Sequence, residues 1–298
     1  MEVARGVKFG HAGTLDPMAV GVLLVAVGSA TRLVELLHEL PKSYSAQFEF
    51  GKRSPTLDSD SEEIEVVDGP VPTLQSIEEA ASYWIGEVEQ IPPQVSALKV
   101  GGKRAYDLVR RGEEVPLAAR PVRIDRISVT LYEYPFLNLD MDCGSGTYVR
   151  SLGRDLAAAL HTFAIMTKLT RTAVGPFSIA SAISMDQLTG REEIEKHLRS
   201  PLDGLVGAGR VQLDAEQLQL VMNGRTLDGA RLSVILPDEG NANTALAKVV
   251  AAQAPDGRLA AVMEIDAAGH LKPKRVFQAA AAINQPTAIK SKQSPESS

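Results

Sequence analysis

Cysteine, tryptophan and histidine are scarce in this sequence, and their scarcity excludes several kinds of site. The 298 residues include one cysteine, one tryptophan and five histidines. A single cysteine cannot form a disulfide within the chain, and no Cys-x-x-Cys, His-x-x-His or His-Glu-x-x-His spacing is present to bind a metal. The uncharged apolar run at residues 18–28 is too short to span a bilayer. We therefore expect a globular, cytoplasmic protein without a metal site.

Positive charge is also in short supply, which on its own disfavours a nucleic-acid partner. The 31 Lys and Arg residues are outnumbered by 37 Asp and Glu, giving a net charge of −6. The charges are segregated, however: residues 54–98 hold ten acidic and no basic residues, whereas residues 99–126 hold eight basic and four acidic ones. Such a basic stretch can bind phosphates locally while the whole chain stays acidic. A solvated basic face is the alternative interpretation.

The loop Gly10-His-Ala-Gly-Thr-Leu-Asp-Pro17 presents a single acid, Asp16, just before the apolar run. Gly10 and Gly13 permit backbone angles that other residues avoid, and Pro17 favours an extended conformation for Asp16. A carboxylate held this way at the rim of a core could act as a nucleophile or a general base. An ordinary loop aspartate that forms a turn hydrogen bond is the alternative.

Three further side chains are candidates for the same site. Arg150 follows a glycine turn at the start of a predicted helix, where it could pair with a buried carboxylate or lie exposed. Tyr44 begins a strand over residues 44–50 whose alternation predicts one buried face, so it could stack on a base or belong to the core. His11 could assist Asp16, contact a phosphate or bond within its loop.

Hydrophobic periodicity predicts both helices and strands, and glycine and proline mark a boundary near residues 201–209. Ser76 to Glu79 resembles a capping box, and residues 53–68 predict a polar, mobile loop. The predicted helices cover residues 31–40, 74–84, 103–111 and 150–160, with a short one capped by Asp214 to Gln217 that ends at Asn223. The predicted strands cover residues 44–50, 121–132, 136–143, 246–251, 259–265 and 275–279.

Four stretches of this sequence occur together in a recognisable order. They are Gly10 to Pro17, Lys42-Ser-Tyr44, Gln94-Val-Ser-Ala-Leu-Lys-Val-Gly-Gly-Lys103 with Tyr106, and Gly146-Thr-Tyr-Val-Arg150 with Leu169-Thr-Arg171. Over about residues 8–180 they closely resemble the TruB family of tRNA pseudouridine synthases. The resemblance implies an α+β pseudouridine synthase fold, with a mixed, mostly antiparallel sheet flanked by helices. It also implies a catalytic domain at residues 1–202, a small PUA-like RNA-binding β-domain at 203–280 and a disordered tail at 281–298.

The resemblance further implies an activity and a set of site residues. The chain would isomerise the T-loop uridine at position 55 of tRNA to pseudouridine, as a monomer without a cofactor. The base would flip out, its glycosidic bond would break, and uracil would rejoin the ribose through carbon. Asp16 would attack or deprotonate the ribose, Arg150 would pair with Asp16, and Tyr44 would stack on the base. The implied substrate-binding residues are His11, Lys99, Lys103, Tyr106, Tyr148, Leu169 and Arg171.

Two departures from the family pattern leave other hypotheses open. The sequence lacks the family's Lys-Pro-x-Gly-x-Thr-Ser segment, so one wall of the cleft would be absent, and Ser54-Pro-Thr-Leu-Asp58 stands where the family has Thr-Asp-Thr. A non-catalytic protein that binds or folds tRNA is therefore one alternative. A guided synthase acting on ribosomal RNA is another, although the chain carries no long basic extension.

Overall fold

The computed structural model describes residues 6–95, 117–236 and 246–277, together with the short strands at 99–100 and 103–104. Among the described residues, a first compact unit runs to Gly207 and a second begins at Ala208. Candidate site residues from the sequence lie in the first unit, so its sheet and helices are described first.

A seven-stranded sheet forms the centre of the first unit. Its strands are β2 (Val20–Gly21), β4 (Lys42–Phe50), β7 (Gly86–Gln90), β10 (Arg120–Glu133), β11 (Phe136–Cys143), β12 (Ala164–Val174) and β13 (Phe177–Ser178). They follow the order β13-β12-β4-β11-β10-β7, with β2 beside β12. Neighbouring strands are antiparallel, except that β2 runs parallel to β12. The predicted mixed, mostly antiparallel sheet is confirmed.

Smaller strands and several helices also belong to the described part of this unit. The strands are β1 (Phe9–His11), β3 (Val25–Val27), β5 (Lys52–Arg53), β6 (Glu65–Val66), β8 (Lys99–Val100) and β9 (Lys103–Arg104). The α-helices are α1 (Val34–His38), α2 (Leu74–Ser82), α3 (Val149–Ala159) and α4 (Arg191–Lys196), and a 3-10 helix (Gly28–Leu33) leads into α1. The helices predicted near residues 31–40, 74–84 and 150–160 are thus confirmed in place.

The core of this unit lies between the sheet and helix α3. Alternate residues of β4 and β11 are buried, as their sequence pattern predicts. Leu152 and Leu156 of α3 pack in the same core cluster as Phe48 of β4. Helix and sheet approach closely at Gly153, where an added Cβ would lie 2.1 Å from Cε1 of Phe48. The glycine therefore lets α3 lie directly on β4.

Two local predictions need correction, and one strand was not predicted. Helix α2 begins at a capping box between Thr73 and Ser76, whose hydroxyls accept each other's backbone N–H groups, and not at Ser76 to Glu79. Strand β12 was not expected, because two bulges break its alternation of buried and exposed residues. The helix predicted over residues 103–111 is wrong at Lys103 and Arg104, which form β9, and the rest lies outside the described residues.

Residues 53–68 are not the free polar loop that their composition predicts. Strands β5 and β6 pair within it, and the backbone N–H of Ser59 donates to the Met166 carbonyl, and the N–H of Met166 donates to the Leu57 carbonyl, at 3.0 Å each. These bonds attach the loop to β12. Its centre is consequently held against the sheet, where Asp58 is 4 % exposed.

Among the described residues, the second unit contains a four-stranded sheet and one α-helix. Its strands are β14 (Gly209–Gln212), β15 (Val249–Gln253), β16 (Leu259–Ile265) and β17 (Leu271–Val276), and its helix is α5 (Ala215–Met222). The α5 capping box at Asp214 and Gln217 is confirmed. The tail predicted at residues 281–298 lies outside the described residues. In the part of the chain that the structure describes, no helix is long and apolar enough to cross a membrane.

Candidate active site

The backbone of the Asp16 loop is held by a buried arginine from β12. Arg171 is 1 % exposed, and its guanidinium donates to three carbonyls of residues on both sides of Asp16. The acceptors are Val22 at 2.7 Å, Gly13 at 3.1 Å and Thr14 at 3.4 Å. Because these acceptors flank Asp16, the buried Arg171 fixes the backbone on both sides of it. Its placement differs from that of an exposed substrate-binding residue.

Asp16 and Arg150 lie in contact, as the resemblance implies. Nη2 of Arg150 donates to Oδ1 of Asp16 at 2.9 Å, although 134 residues separate them in the sequence. The Arg150 side chain is 5 % exposed, whereas the Asp16 side chain is 30 % exposed. The arginine is therefore enclosed by protein, and part of the carboxylate remains open to a substrate.

A second carboxylate, from Asp58, contacts the other terminal nitrogen of Arg150. Nη1 of Arg150 lies 3.3 Å from Oδ2 of Asp58 and donates to the Thr56 carbonyl at 2.8 Å. The hydroxyl of Thr56 and the backbone N–H of Asp60 donate to Oδ1 of Asp58 at 2.6 and 3.2 Å. Both oxygens of this buried carboxylate are thus engaged, which fixes the guanidinium between two acids.

Asp58 was missed as a site residue in the sequence. It is one of ten acids in residues 54–98, and most acids in such a stretch are solvated. The available signal was its place in the Ser54-Pro-Thr-Leu-Asp58 stretch, which already stood out from the family pattern. Leu57, just before it, has a φ of 63°, a left-handed conformation that is uncommon for a branched side chain. The inward turn of the loop at Asp58 coincides with this strained residue.

The helix that carries Arg150 explains why two carboxylates are needed. Arg150 is the second residue of α3, where the helix dipole disfavours a cation. The first turn of α3 contains no acidic residue of its own. Negative charge must then come from other segments, and Asp16 and Asp58 supply it. The cluster therefore places a carboxylate, partly open to solvent, beside a rigid and fully charged donor.

Tyr44 lies next to this cluster on β4. It is half-buried against the core and pairs in register with Arg171 of β12. Burial raises the pKa of the Tyr44 phenol, Cys143 and Asp16 act in the same direction, and Arg171 opposes them. Tyr44 is therefore a neutral aromatic ring near Asp16, as a platform for a base requires.

Lys42, at the start of the same strand, is a buried amine. It is 7 % exposed, and its Nζ donates to the backbone carbonyl of His38 in α1. Burial lowers its pKa to about 8. Cys143, its partner in register on β11, is buried too, and burial raises the pKa of that thiol to about 12. Lys42 and Cys143 thus lie side by side on neighbouring strands, two residues from Tyr44 along β4.

The remaining predicted residues occupy different surroundings. His11 is exposed at the end of β1, and Leu169 is buried in the core opposite Ala46. Tyr148 is half-buried just before α3, with the Arg120 guanidinium 4.9 Å from the centre of its ring. The ring is thus already paired with a cation.

The predicted contacts on residues 99–106 are only partly described. Lys99 and Lys103 lie on the paired strands β8 and β9, and Tyr106 lies outside the described residues. Arg123 and Arg126 on β10 form ion pairs with Asp125 and Asp142. Part of the charge in the basic stretch is therefore balanced within the protein. Among the described residues, no group of three or more His, Cys, Asp or Glu side chains could hold a metal ion.

The chain is similar to known families and proteins over most of its length. Residues 2–149 match the TruB family pseudouridylate synthase N-terminal domain, and residues 150–207 match the tRNA pseudouridylate synthase B C-terminal domain. The tRNA pseudouridine synthase B of Mycobacterium avium (strain 104) is 41 % identical over 88 % of this chain and 84 % of its own length. The protein of the same name from Arthrobacter sp. (strain FB24) is 39 % identical over 91 % and 87 %.

Solved structures agree at the level of the fold. A chain of a Cbf5-Nop10-Gar1 complex superposes with a TM-score of 0.67 at 23 % identity, covering 91 % of this chain and 77 % of that one. A chain of an H/ACA RNP bound to a substrate RNA containing 2'-deoxyuridine gives a TM-score of 0.66 at 21 % identity, with the same coverage. At these identities the match supports the α+β architecture described above.

Proposed function

This chain belongs to the TruB family of pseudouridylate synthases, and on that premise we propose that it converts uridine in tRNA to pseudouridine at the site around Asp16. The observation that carries the proposal is the Asp16–Arg150 pair, in which a buried guanidinium holds a partly exposed carboxylate at 2.9 Å. Relatives that share about 40 % of the sequence over most of the chain carry the name of this activity. A protein that only bound RNA would have no need of this arrangement.

The reaction is an isomerisation, so it needs a positioned acid and no second reactant. The bond from N1 of uracil to the ribose C1′ breaks, and a bond from C5 to C1′ forms. The proton on C5 is lost and N1 regains one, so the composition of the nucleoside is unchanged. Asp16 either attacks the ribose carbon or removes a ribose proton, and both routes require an ionised carboxylate. Arg150 holds that carboxylate in place and balances its charge.

The target base must leave its stack before Asp16 can reach the ribose. Flipping a base out costs a few kcal/mol. Stacking on an aromatic ring returns about 1–3 kcal/mol per base, and Tyr44 is the ring that lies near Asp16. We place the T-loop uridine at position 55 on Tyr44, with exposed His11 at the displaced RNA.

Binding of the T-arm is assigned to residues outside the catalytic cluster. Lys99 and Lys103 would contact the phosphate backbone, which positions an RNA without reading its sequence. The second unit would act as the PUA-like RNA-binding domain. We further propose that the chain acts as a monomer, and tRNA as substrate supports a place in the cytoplasm.

A labelled stem-loop tests the function directly. A T-arm RNA carries tritium on C5 of the uridine at position 55, and the release of tritium reports the loss of that proton. We expect release with the full chain, and pseudouridine in the digested RNA. An RNA with its label on a stem uridine is the control for position. No release from the position-55 RNA with enzyme in excess would overturn the proposed function.

A further inference from the structure

The N-terminus of α3 is held by a buried glutamine that the reaction scheme above does not use. Gln90 is the last residue of β7 and is 1 % exposed. Its Oε1 accepts the backbone N–H of Tyr148 at 2.8 Å, and its Nε2 donates to the Tyr148 carbonyl at 3.2 Å. One side-chain amide therefore engages both backbone groups of the residue just before the helix.

These contacts replace a local helix cap. In a capping box, a Glu or Gln in the first turn accepts the N–H of the N-cap residue. Tyr148 is the N-cap of α3 and makes no capping bond through its own side chain. Gln90 supplies the missing acceptor from 58 residues away in the sequence. The direction in which α3 begins is consequently set by β7.

Two further bonds join the same elements. Oγ of Ser151 and Nη2 of Arg154 both donate to the carbonyl of Ile91, at 2.8 and 2.9 Å. Ser151 is fully buried, so its bond is shielded from water. The first two turns of α3 are therefore fixed to the residues that end β7.

The position of Arg150 depends on this attachment. Its terminal nitrogens contact Asp16 and Asp58, but Nε is buried and has no hydrogen-bond partner among the described residues. Among the described residues, the Nε end of the guanidinium is therefore positioned only by the attachment of Arg150 to α3. A shift in the start of α3 would carry Arg150 away from Asp16.

We propose that Gln90 is a positioning residue for the reaction, which sets the start of α3 so that Arg150 reaches Asp16. This inference rests on the proposed function for its kinetic test, although the geometric part stands without it. Gln90 touches neither Asp16 nor Arg150 in the hydrogen bonds described, so its effect is transmitted through the backbone of residues 148–150.

Gln90→Met keeps the length of the side chain and removes both hydrogen bonds. We expect the single-turnover rate to fall on the order of 10²-fold, the cost of misplacing a catalytic group by about 1 Å, a loss larger than any change in RNA binding through Tyr148. In an Arg150→Met background the same substitution should cause no further loss, because its effect passes through Arg150. The Tyr148 amide should also exchange with solvent faster, a readout that does not depend on activity.

Gln47→Met is the matched control. It also removes two side-chain hydrogen bonds of a glutamine, but on the face of β4 that points away from α3. Gln47 donates to Asn138 at 3.0 Å and accepts from Thr167 at 3.1 Å. We expect it to leave the single-turnover rate unchanged. If Gln90→Met does not fold, Ser151→Ala removes the neighbouring bond more gently and should show a smaller loss with the same dependence on Arg150.

The outcomes separate the inference from the proposed function. A wild-type chain without activity overturns the function, and amide exchange at Tyr148 then still tests the attachment. An active wild type with a Gln90→Met rate within twofold of it overturns the positioning role. So does an equal loss in the presence and absence of Arg150, because that result would show a general effect on the fold.

Discussion

Two buried arginines hold the loop of Asp16, and they do so through different partners. Arg171 donates to the backbone carbonyls of Gly13 and Thr14 in the loop and of Val22 beyond it, and no described carboxylate forms an ion pair with it. Arg150 contacts two carboxylates, one of which, Asp16, is 30 % exposed. One guanidinium thus satisfies partial charges of the backbone, and the other balances full charges beside an opening.

The difference separates support from chemistry. Backbone carbonyls cannot react with the ribose, so the Arg171 side of the loop only fixes its shape. A carboxylate can act as a base or a nucleophile, and on the Arg150 side it is held in one orientation. We therefore expect substitutions around Arg171 to change mainly stability, and substitutions around Arg150 to change mainly the rate.

The largest expected effect is on the rate, from Asp16→Asn. The amide keeps the shape of the side chain but cannot act as a base or a nucleophile. We expect tritium release to fall on the order of 10⁴-fold. The free energy of unfolding should change by less than about 1 kcal/mol, because Asp16 is partly exposed and Arg150 keeps Asp58. Activity within tenfold of the wild type would remove Asp16 from the chemistry.

Arg171→Met should reduce the free energy of unfolding more than it changes the rate. The carbonyls of Gly13, Thr14 and Val22 lose their donor, and each buried unsatisfied group costs about 1–3 kcal/mol. We expect the free energy of unfolding to fall by about 3–5 kcal/mol, measured with urea. Arg171→Lys should not restore it, because one ammonium cannot reproduce the planar fork of donors. Full stability in either variant would show that the loop holds its own shape.

Asp58→Asn tests whether Arg150 needs the negative charge of a second carboxylate beside it. The amide oxygen can still accept from Arg150, so the change removes the charge and also replaces the oxygen that accepts from Thr56 and Asp60. We expect stability to fall by about 2 kcal/mol and the single-turnover rate to fall with it. Asp60→Asn is the control, because that exposed side chain is in the same loop and only its backbone contacts Asp58. Equal effects from the two variants would contradict the role of Asp58.

The sequence predicts the elements of this site better than the contacts between them. Strands β4 and β11 and helix α3 follow from their hydrophobic periodicity, and the pairing of Asp16 with Arg150 follows from the family resemblance. Gln90 gives no such signal, and the departure from the family pattern at Asp58 does not reveal its partner, because the partners lie 58 and 92 residues away, respectively. Strand β12 was missed because bulges interrupt its pattern. Long-range polar contacts leave little trace in local sequence.

The smallest expected effect comes from Lys42, near the arginine that lacks a carboxylate. Burial lowers the pKa of Lys42 to about 8 from an ordinary 10.5, and Arg171 acts in the same direction, while Cys143 and Glu39 oppose it. Between these pKa values the unfolded chain binds a proton that the folded chain does not, so stability should rise with pH in that window. From pH 8 to pH 9.5 the gain is about 1.5 kcal/mol, because the folded amine is already half deprotonated at pH 8. Lys42→Met should remove it, so the difference between wild type and variant in urea unfolding isolates the amine. A pH-independent difference would show that the Lys42 amine does not lose its proton near pH 8.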